Sequence, residues 1–417
     1  DLIEQSNTSG PPNIAIYIHI PFCEKICHYC GCNSKAIGGG AMVAPYMEAL
    51  KRELQMVSLR IDKNRQVSQI HYGGGTPNAI DIAYLKSINE YLFHEFRFIK
   101  KPEIAIECNP AHLKLKTIEQ FIDAGFNRFS LGVQDFDAAL LKKMNRKTTT
   151  KIPKLVSTLK QHGAGVNLDF IYGLPGQTVA SFLRTMEQAA KIRPDRLVAF
   201  SYAHVPWLKK HQLALEKTGL VPAAVKTEMF VSACNMLSDA GYVPIGLDHF
   251  VLPSDSLSRA LAQGTLHRNF QGYCTRETTG QVYAFGATAI SQLAGGYSQN
   301  AKYIGAYIET VNSGALPVER GYRLSDTQII TRDAINALMC NLRLSFASIA
   351  PGKTAAETKR ILNPDEAALA RFAADGLLTY TGNTIEVSET GSFFIRNIVT
   401  AFDAGYAPEN TIHSKTV

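Results

Sequence analysis

Apolar and polar positions alternate between two rhythms along the first half of the chain. Short β-branched runs, such as Ile14-Ala-Ile-Tyr-Ile-His-Ile20 closed by Pro21, recur at residues 69–72, 103–107, 128–132, 166–171 and 196–202. Between them lie stretches with helical periodicity at residues 43–60, 80–96, 115–124, 138–144, 152–162 and 178–191. Strand followed by helix, repeated six times, implies a parallel sheet, because each return to the same edge needs a crossover helix. The pattern changes near Pro206, two units short of a closed eight-unit barrel. The expected fold class is therefore α/β, a partial (β/α)6 barrel with a helix-rich C-terminal domain.

In such barrels the chemistry gathers where the strands end. The first run ends in Pro21-Phe22-Cys23, the second in Gly73-Gly74-Gly75-Thr76-Pro77 and the third in Glu107-Cys108-Asn109-Pro110. The fourth leads into Val133-Gln134-Asp135, and the fifth carries Asp169 and ends in Tyr172-Gly173-Leu174-Pro175-Gly176. Polar, glycine and proline residues thus collect on one rim. Beyond Pro206 the pattern predicts a helix over 223–240, a mixed segment over 241–296, and helices over 300–313, 326–342 and 364–374. A hairpin over 377–387, turning at Thr381-Gly382-Asn383, and a last helix follow. Helices followed by a small hairpin resemble a winged helix, here expected to pack or cover rather than to bind DNA.

Composition narrows the possibilities. The 417 residues are 46% apolar and 19% charged, enough to fill sizeable cores and unlike a disordered chain. The net charge of +7 is mild and fits an acidic substrate better than a dedicated nucleic-acid binder. No apolar run approaches the roughly 20 residues of a membrane span and no signal peptide opens the chain, so a cytoplasmic protein is expected. Residues 1–13 are expected to be the remnant of a longer N-terminal extension.

Eight cysteines are too few for a disulfide framework. Four of them, Cys23, Cys27, Cys30 and Cys32, fall within ten residues as C-x3-C-x2-C-x-C. A zinc site usually draws on two such pairs, and no second C-x2-C exists. Three thiolates at x3 and x2 spacing can converge on three irons of a cubane and leave the fourth open, and thiolates suit iron–sulfur clusters. A cluster is the leading reading, with zinc or a redox motif as the alternatives. The isolated Cys108, Cys234, Cys274 and Cys340 read as small buried hydrophobes.

With Tyr29 before its third cysteine, this motif resembles that of the radical S-adenosylmethionine superfamily. The flanking segments Ile18-His-Ile-Pro-Phe-Cys23, His71-Tyr-Gly-Gly-Gly-Thr-Pro77, Gly132-Val-Gln-Asp-Phe136, Asp169-Phe-Ile-Tyr-Gly-Leu-Pro175 and Tyr202-Ala-His204 are similar to those of the oxygen-independent coproporphyrinogen III oxidases. So are Gly246-Leu-Asp-His-Phe250, His267-Arg-Asn-Phe-Gln-Gly-Tyr273 and Cys340-Asn-Leu-Arg343, so the resemblance spans nearly the whole chain.

The resemblance implies that Cys23, Cys27 and Cys30 hold a [4Fe-4S] cluster while Cys32 does not. It further implies a first S-adenosylmethionine against Tyr17, Gly74, Glu107 and Ile290. A second would lie against Tyr29, Gly75, Thr76, Gln134, Arg146, Asp169 and Ala203. The implied reaction converts two propionates of coproporphyrinogen III to vinyl groups. It needs an electron donor such as flavodoxin or ferredoxin, and an acceptor; a monomer is expected. Arg268 and Arg343 are candidates for the substrate carboxylates, and His249 and His267 are either substrate contacts or structural. Read without the resemblance, Glu107 and Asp169 would pass for helix caps, the glycines for a tight turn, and Arg146 for a solvated helix end. The division expected is 14–296 for the barrel with its additions and 297–417 for a covering domain. The main alternative is a haem-binding chaperone of the same superfamily; such proteins generally carry an aromatic residue where Cys32 stands.

Overall fold

The apolar runs that end in proline or glycine are strands in the computed structural model, which describes residues 1–275 and 281–403. They are β1 (Ile14–Ile20), β2 (Gln66–Gly74), β3 (Arg97–Cys108), β4 (Arg128–Gln134), β5 (Gly165–Tyr172) and β6 (Arg196–Ser201). The intervening helices are α1 (Val43–Ser58), α2 (Ile82–Glu95), α3 (Ile118–Asp123), α4 (Ala138–Lys143), α5 (Ile152–Gln161) and α6 (Val179–Ile192). Side-chain caps fix where several begin. Asp81 accepts from Ala83 N, Asp137 from Ala139 N and Leu140 N, and Thr178 forms a reciprocal capping box with Ser181.

β1 to β6 are paired in parallel and in chain order. Their outward residues (Ile70, Ile106, Phe129, Leu168 and Phe170 among them) are fully or almost fully buried under the helices. Burying one such side chain stabilises the fold by about 1.5–3 kcal/mol, and these layers form the main core. The inward positions are polar, as Gln69, Glu103, Arg128, Asn167 and Arg196 deep inside and His71, Ser130 and Asp169 above them. A closed barrel fills this space with aliphatic side chains; here it holds a cavity.

The sheet extends beyond the six expected strands. β11 (Gln281–Phe285) pairs in parallel with β1 on the open side, so seven parallel strands line up. Antiparallel β12 (Ile290–Leu293), β13 (Gly296–Asn300) and β14 (Val318–Arg323) follow it. At the other edge β6 pairs with β8 (His249–Val251), and β8 with β7 (Val243–Ile245), giving twelve strands in all. A separate hairpin joins β9 (Leu266–Asn269) to β10 (Gly272–Thr275). The sequence pattern places β11 only in a mixed segment, because it lies some eighty residues beyond β6 and its partner is the first strand.

Of the later helices, α7 (Ala223–Asp239), α8 (Ile304–Asn312), α9 (Asp326–Asn341), α11 (Glu366–Ala374) and the last, α12 (Ile395–Val399), follow the predicted spans, whereas α10 (Ala355–Leu362) has no predicted counterpart. β15 (Arg343–Ser345), β16 (Leu378–Tyr380) and β17 (Thr384–Val387) form a small sheet. It packs with α9 to α12 around a second core that includes Leu338, Phe346, Leu369 and Phe402. Among the described residues no helix is long and apolar enough to cross a membrane.

Candidate active site

A cavity of about 800 Å³ opens at the C-terminal ends of the parallel strands. Of the residues singled out above, Cys23, Cys27, Tyr29, Cys30, Gly74, Gly75, Thr76, Glu107, Gln134, Arg146, Asp169 and Ala203 line it. Tyr17 and Ile290 are not among its lining residues. Tyr17 faces the same side as His71, its hydroxyl 3.1 Å from His19 Nδ1 and its ring stacked on His71. Ile290 begins β12, paired opposite Gln299.

The cysteine loop leaves β1 at Pro21, where a short parallel ladder pairs Phe22 and Cys23 with Lys35 and Ala36. Each of its first three thiols has a polar neighbour. Thr76 Oγ1 donates to Cys23 Sγ at 3.3 Å, Arg146 Nη1 to Cys27 Sγ at 3.7 Å, and Ser34 Oγ lies 3.7 Å from Cys30 Sγ. The Cys32 thiol donates to the Cys30 sulfur, which holds Cys30 well below the usual thiol range although burial opposes it; Cys32 itself is pushed up. Burial pushes the Cys23 thiol up as well, a cost removed by a metal that deprotonates the thiol outright.

Glu107 and Asp169 cap no helix. Glu107 Oε1 accepts from His71 Nε2 at 2.9 Å and Oε2 from Gly74 N at 3.3 Å. Burial alone would raise its carboxyl, but the His71 hydrogen bond and charge hold it below the ordinary value. Asp169 accepts from Ser130 Oγ at 2.5 Å, and burial pushes its carboxyl up to about 6. Arg146 is no solvated helix end. α4 stops at Lys143, Asn145 turns the chain at φ 54°, and Asn145 Nδ2 donates to Ile26 O at 2.8 Å. That turn sends Arg146 inward, where it donates to Gly132 O as well as to Cys27.

The three glycines serve the protein's own packing. A Cβ on Gly73 would lie 2.6 Å from Glu107 Oε1, one on Gly74 2.4 Å from His19 Cε1, and one on Gly75 2.8 Å from Phe22 O. Gln134 sits at φ 71°, a left-handed conformation that costs of order 1–3 kcal/mol for a residue with a side chain. Neighbouring contacts pin it there. Asp135 is buried, accepting from Gln177 Nε2 at 2.7 Å, Thr185 Oγ1 at 2.8 Å and Asp137 N at 2.9 Å.

These residues fit a cluster with an adenosyl ligand beside it. Three thiols from one loop face one cavity. Tyr29 Oη, Gln134 Oε1 and Ser201 Oγ are buried with no hydrogen-bond partner, which is the state of groups meant to meet a polar ligand. Among the described residues no three His, Cys, Asp or Glu side chains stand close enough to share a single ion, so the fit rests on the loop and the orphaned polar atoms.

Sequence reasoning missed the scaffold around the loop. His19 Nε2 lies 3.0 Å from Asn33 O. Lys209 Nζ donates to Cys32 O at 2.6 Å, His211 Nε2 lies 2.8 Å from Cys30 O, and Gln212 Nε2 donates to Tyr29 O at 3.0 Å. Only the fold brings residues 209–212 against residues 29–32; the signal within the sequence was limited to His19 in the Ile18-His-Ile-Pro motif. His249 lines the cavity, fixed by Asp248 Oδ1 at 2.6 Å and edge-on to Tyr273. His267 lies on β9 outside the lining residues. Of the isolated cysteines, Cys108, Cys274 and Cys340 are buried as expected, and Cys234 is half-buried.

Parallel strands with a three-cysteine loop at their C-terminal rim define a class. Residues 17–189 match the family model of the radical SAM superfamily. Relatives narrow this further. The chain is 36% identical over 402 residues to an oxygen-independent coproporphyrinogen III oxidase of Synechocystis, covering 94% of this chain and 84% of the relative. It is 36% identical to that of Escherichia coli K12, covering 94% and 85%. The solved structure of the Escherichia coli coproporphyrinogen III oxidase, a radical SAM enzyme, superposes with a TM-score of 0.90 at 34% identity, covering 97% of this chain and 93% of that one. The chain belongs to the family of oxygen-independent coproporphyrinogen III oxidases, and its cofactors are a [4Fe-4S] cluster and S-adenosylmethionine.

Proposed function

We propose that this protein catalyses the anaerobic oxidative decarboxylation of two propionate groups of coproporphyrinogen III to vinyl groups, giving protoporphyrinogen IX. The observation that carries the reading is identity at 36% over 94% of the chain to enzymes of that name, together with a cavity of about 800 Å³ lined by the matching residues. That volume lies at the upper end of small-molecule sites and leaves room for more than one ligand.

When bound, cluster and S-adenosylmethionine together supply one-electron cleavage of a carbon–sulfur bond and hence a hydrogen-abstracting carbon radical. The protein's residues bind, orient and exclude. Cys23, Cys27 and Cys30 hold the cluster, and Cys32 stays a thiol. Glu107, kept ionised by His71, accepts from a ligand ammonium. Gln134 and Tyr29 offer their orphaned polar atoms, Asp169 its carboxylate to a ribose diol, and Arg146 its remaining donors to a carboxylate. Tyr17, beside His71, and Ile290, at the start of β12, would complete the first S-adenosylmethionine site with Gly74 and Glu107. Sites for two S-adenosylmethionine molecules follow from this division of residues.

For the substrate, His249 and Arg268 are the better candidates. Arg268 Nε is buried without a hydrogen-bond partner, its guanidinium 5.7 Å from the centre of the Tyr273 ring. Arg343 instead faces Glu386 on the small sheet, with Nε 3.2 Å from its carboxylate. The expected boundary at 296/297 falls inside β13, so residues 14–323, through β14, would form the radical domain and the rest the covering domain of a cytoplasmic monomer. A protein electron donor of the flavodoxin or ferredoxin kind and a separate acceptor complete the system.

The test is anaerobic turnover of the reconstituted protein with reductant, S-adenosylmethionine, coproporphyrinogen III and an electron acceptor, the tetrapyrrole being weighed by mass spectrometry. Loss of two carbon dioxides and four hydrogens, with 5′-deoxyadenosine released, is expected. An unchanged tetrapyrrole beside an intact cluster and cofactor cleavage would overturn the assignment, and tight haem binding would then point to a chaperone.

A further inference from the structure

The segment that braces the cysteine loop also builds the surface over it. Lys209 and His211 hold the carbonyls of Cys32 and Cys30, so whatever docks on residues 207–217 lies directly over the loop. That segment exposes the chain's single tryptophan: Trp207 is 47% exposed, Leu208 70% and Leu213 48%. Large apolar side chains are seldom displayed side by side without a partner, and tryptophan is the residue most enriched at binding hot spots. None of these three lines the cavity, so the substrate does not account for them.

Positive charge lies beside this apolar tip and on the loop it braces. Lys210 and Lys217 are exposed beside it, and Lys25, Lys142 and Lys143 are exposed on or against the cysteine loop. The nearby acids are already engaged. Glu24 pairs with His112 and Lys147, and Glu216 with His204. Apolar side chains beside exposed lysines match a partner with an apolar patch beside carboxylates, and such complementarity steers association strongly at low salt.

We propose that the Trp207–Lys217 surface docks an acidic one-electron carrier protein that reduces the group held by Cys23, Cys27 and Cys30. One electron leaves the carrier and enters that group; no proton or atom moves with it. The proposal rests on the reading of the cysteines as cluster ligands, and it adds the place where the donor sits.

The test uses the reconstituted holoenzyme and a bacterial flavodoxin as probe. Binding is measured by calorimetry at low salt and again near physiological ionic strength, where the Debye length falls to about 8 Å. Wild type should bind and weaken as salt rises. The Trp207→Ala/Lys210→Glu double variant should bind at least about tenfold more weakly, which corresponds to about 1.4 kcal/mol. Its cluster should be reduced correspondingly more slowly by reduced flavodoxin, followed by loss of visible absorbance, while reduction by dithionite stays at the wild-type rate. Lys210→Glu alone, a change at an exposed side chain, serves if the double variant does not fold. An unchanged flavodoxin affinity, or no binding by wild type at low salt, would overturn the proposal. So would a Trp207→Ala effect confined to self-association, seen by sedimentation. If wild type makes no product even with dithionite, the enzymatic reading fails instead, and the affinities still decide where the carrier docks.

Discussion

Gly74→Ala probes how tightly the site is built. Gly74 ends β2 at φ 109°, a conformation closed to side chains, and an added Cβ would stand 2.4 Å from His19 Cε1. The backbone strain costs about 1–3 kcal/mol. The clash adds about 1–3 kcal/mol, because His19 is buried and has no room to retreat. A loss of about 4 kcal/mol should lower Tm by roughly 8–15 °C, at about 2–4 °C per kcal/mol for a chain larger than a single small domain. Gly176→Ala separates the two costs. Gly176 also has a positive φ, 98°, but its Cβ would meet only Leu140 Cδ1, at an ordinary 3.5 Å, so with strain alone, about 2 kcal/mol, it should lose only roughly 4–8 °C.

Moving His19 also breaks its contact with Asn33 O, 3.0 Å away in the cysteine loop. Gly74→Ala should therefore retain less iron after reconstitution, and Gly176→Ala should not. Thermal melts of the unloaded proteins followed by iron analysis read both effects. A Gly74→Ala melt no lower than that of Gly176→Ala, with full iron content, would refute the account of this glycine.

Cys32→Ala should leave iron and sulfide content at wild-type levels by colorimetric assay; a loss of iron would make Cys32 a ligand. Arg196→Met should destabilise the protein by about 1.5–3 kcal/mol in urea titration, since the buried Asp255 carboxylate loses its Arg196 Nε partner at 2.9 Å and keeps Arg128 at 3.7 Å and the Leu257 N–H. A change below about 1 kcal/mol would show the network to be dispensable. Glu53, buried and accepting from Tyr307, Asn300 and Gly286, has its carboxyl raised by burial to about 7 from an ordinary 4.5. The folded state then holds the proton more tightly than the unfolded chain. The stability this contributes is full below about pH 4.5 and is lost as pH rises through about 7. Glu53→Gln should flatten that slope in denaturant titrations at several pH values; a slope equal to wild type would place the titration elsewhere.

The elements themselves were local in origin. The run Ile14–Ile20 is a strand because six of its seven residues are β-branched or apolar and it ends at a proline, and α6 starts at Val179 because Thr178 and Ser181 cap each other. The cysteine loop was legible for a related reason: Cys23, Cys27 and Cys30 lie within eight residues, so their spacing makes a cluster the leading reading before any fold is known. Glu107, Gln134 and Asp169 could be placed on the rim because the end of a parallel strand is fixed by the strand.

What needed the tertiary structure was every pairing between distant segments. β11 joins β1 across more than 260 residues, and no periodicity specifies a partner. The same holds for His71 against Glu107 and for Lys209 and His211 against the cysteine loop. Arg146 looks like a solvated lysine-rich helix end until the left-handed turn at Asn145 carries it to Cys27. Local propensity and spacing set which residues can act. Sheet order and the turns between elements, fixed by burial of the whole core, decide which of them meet.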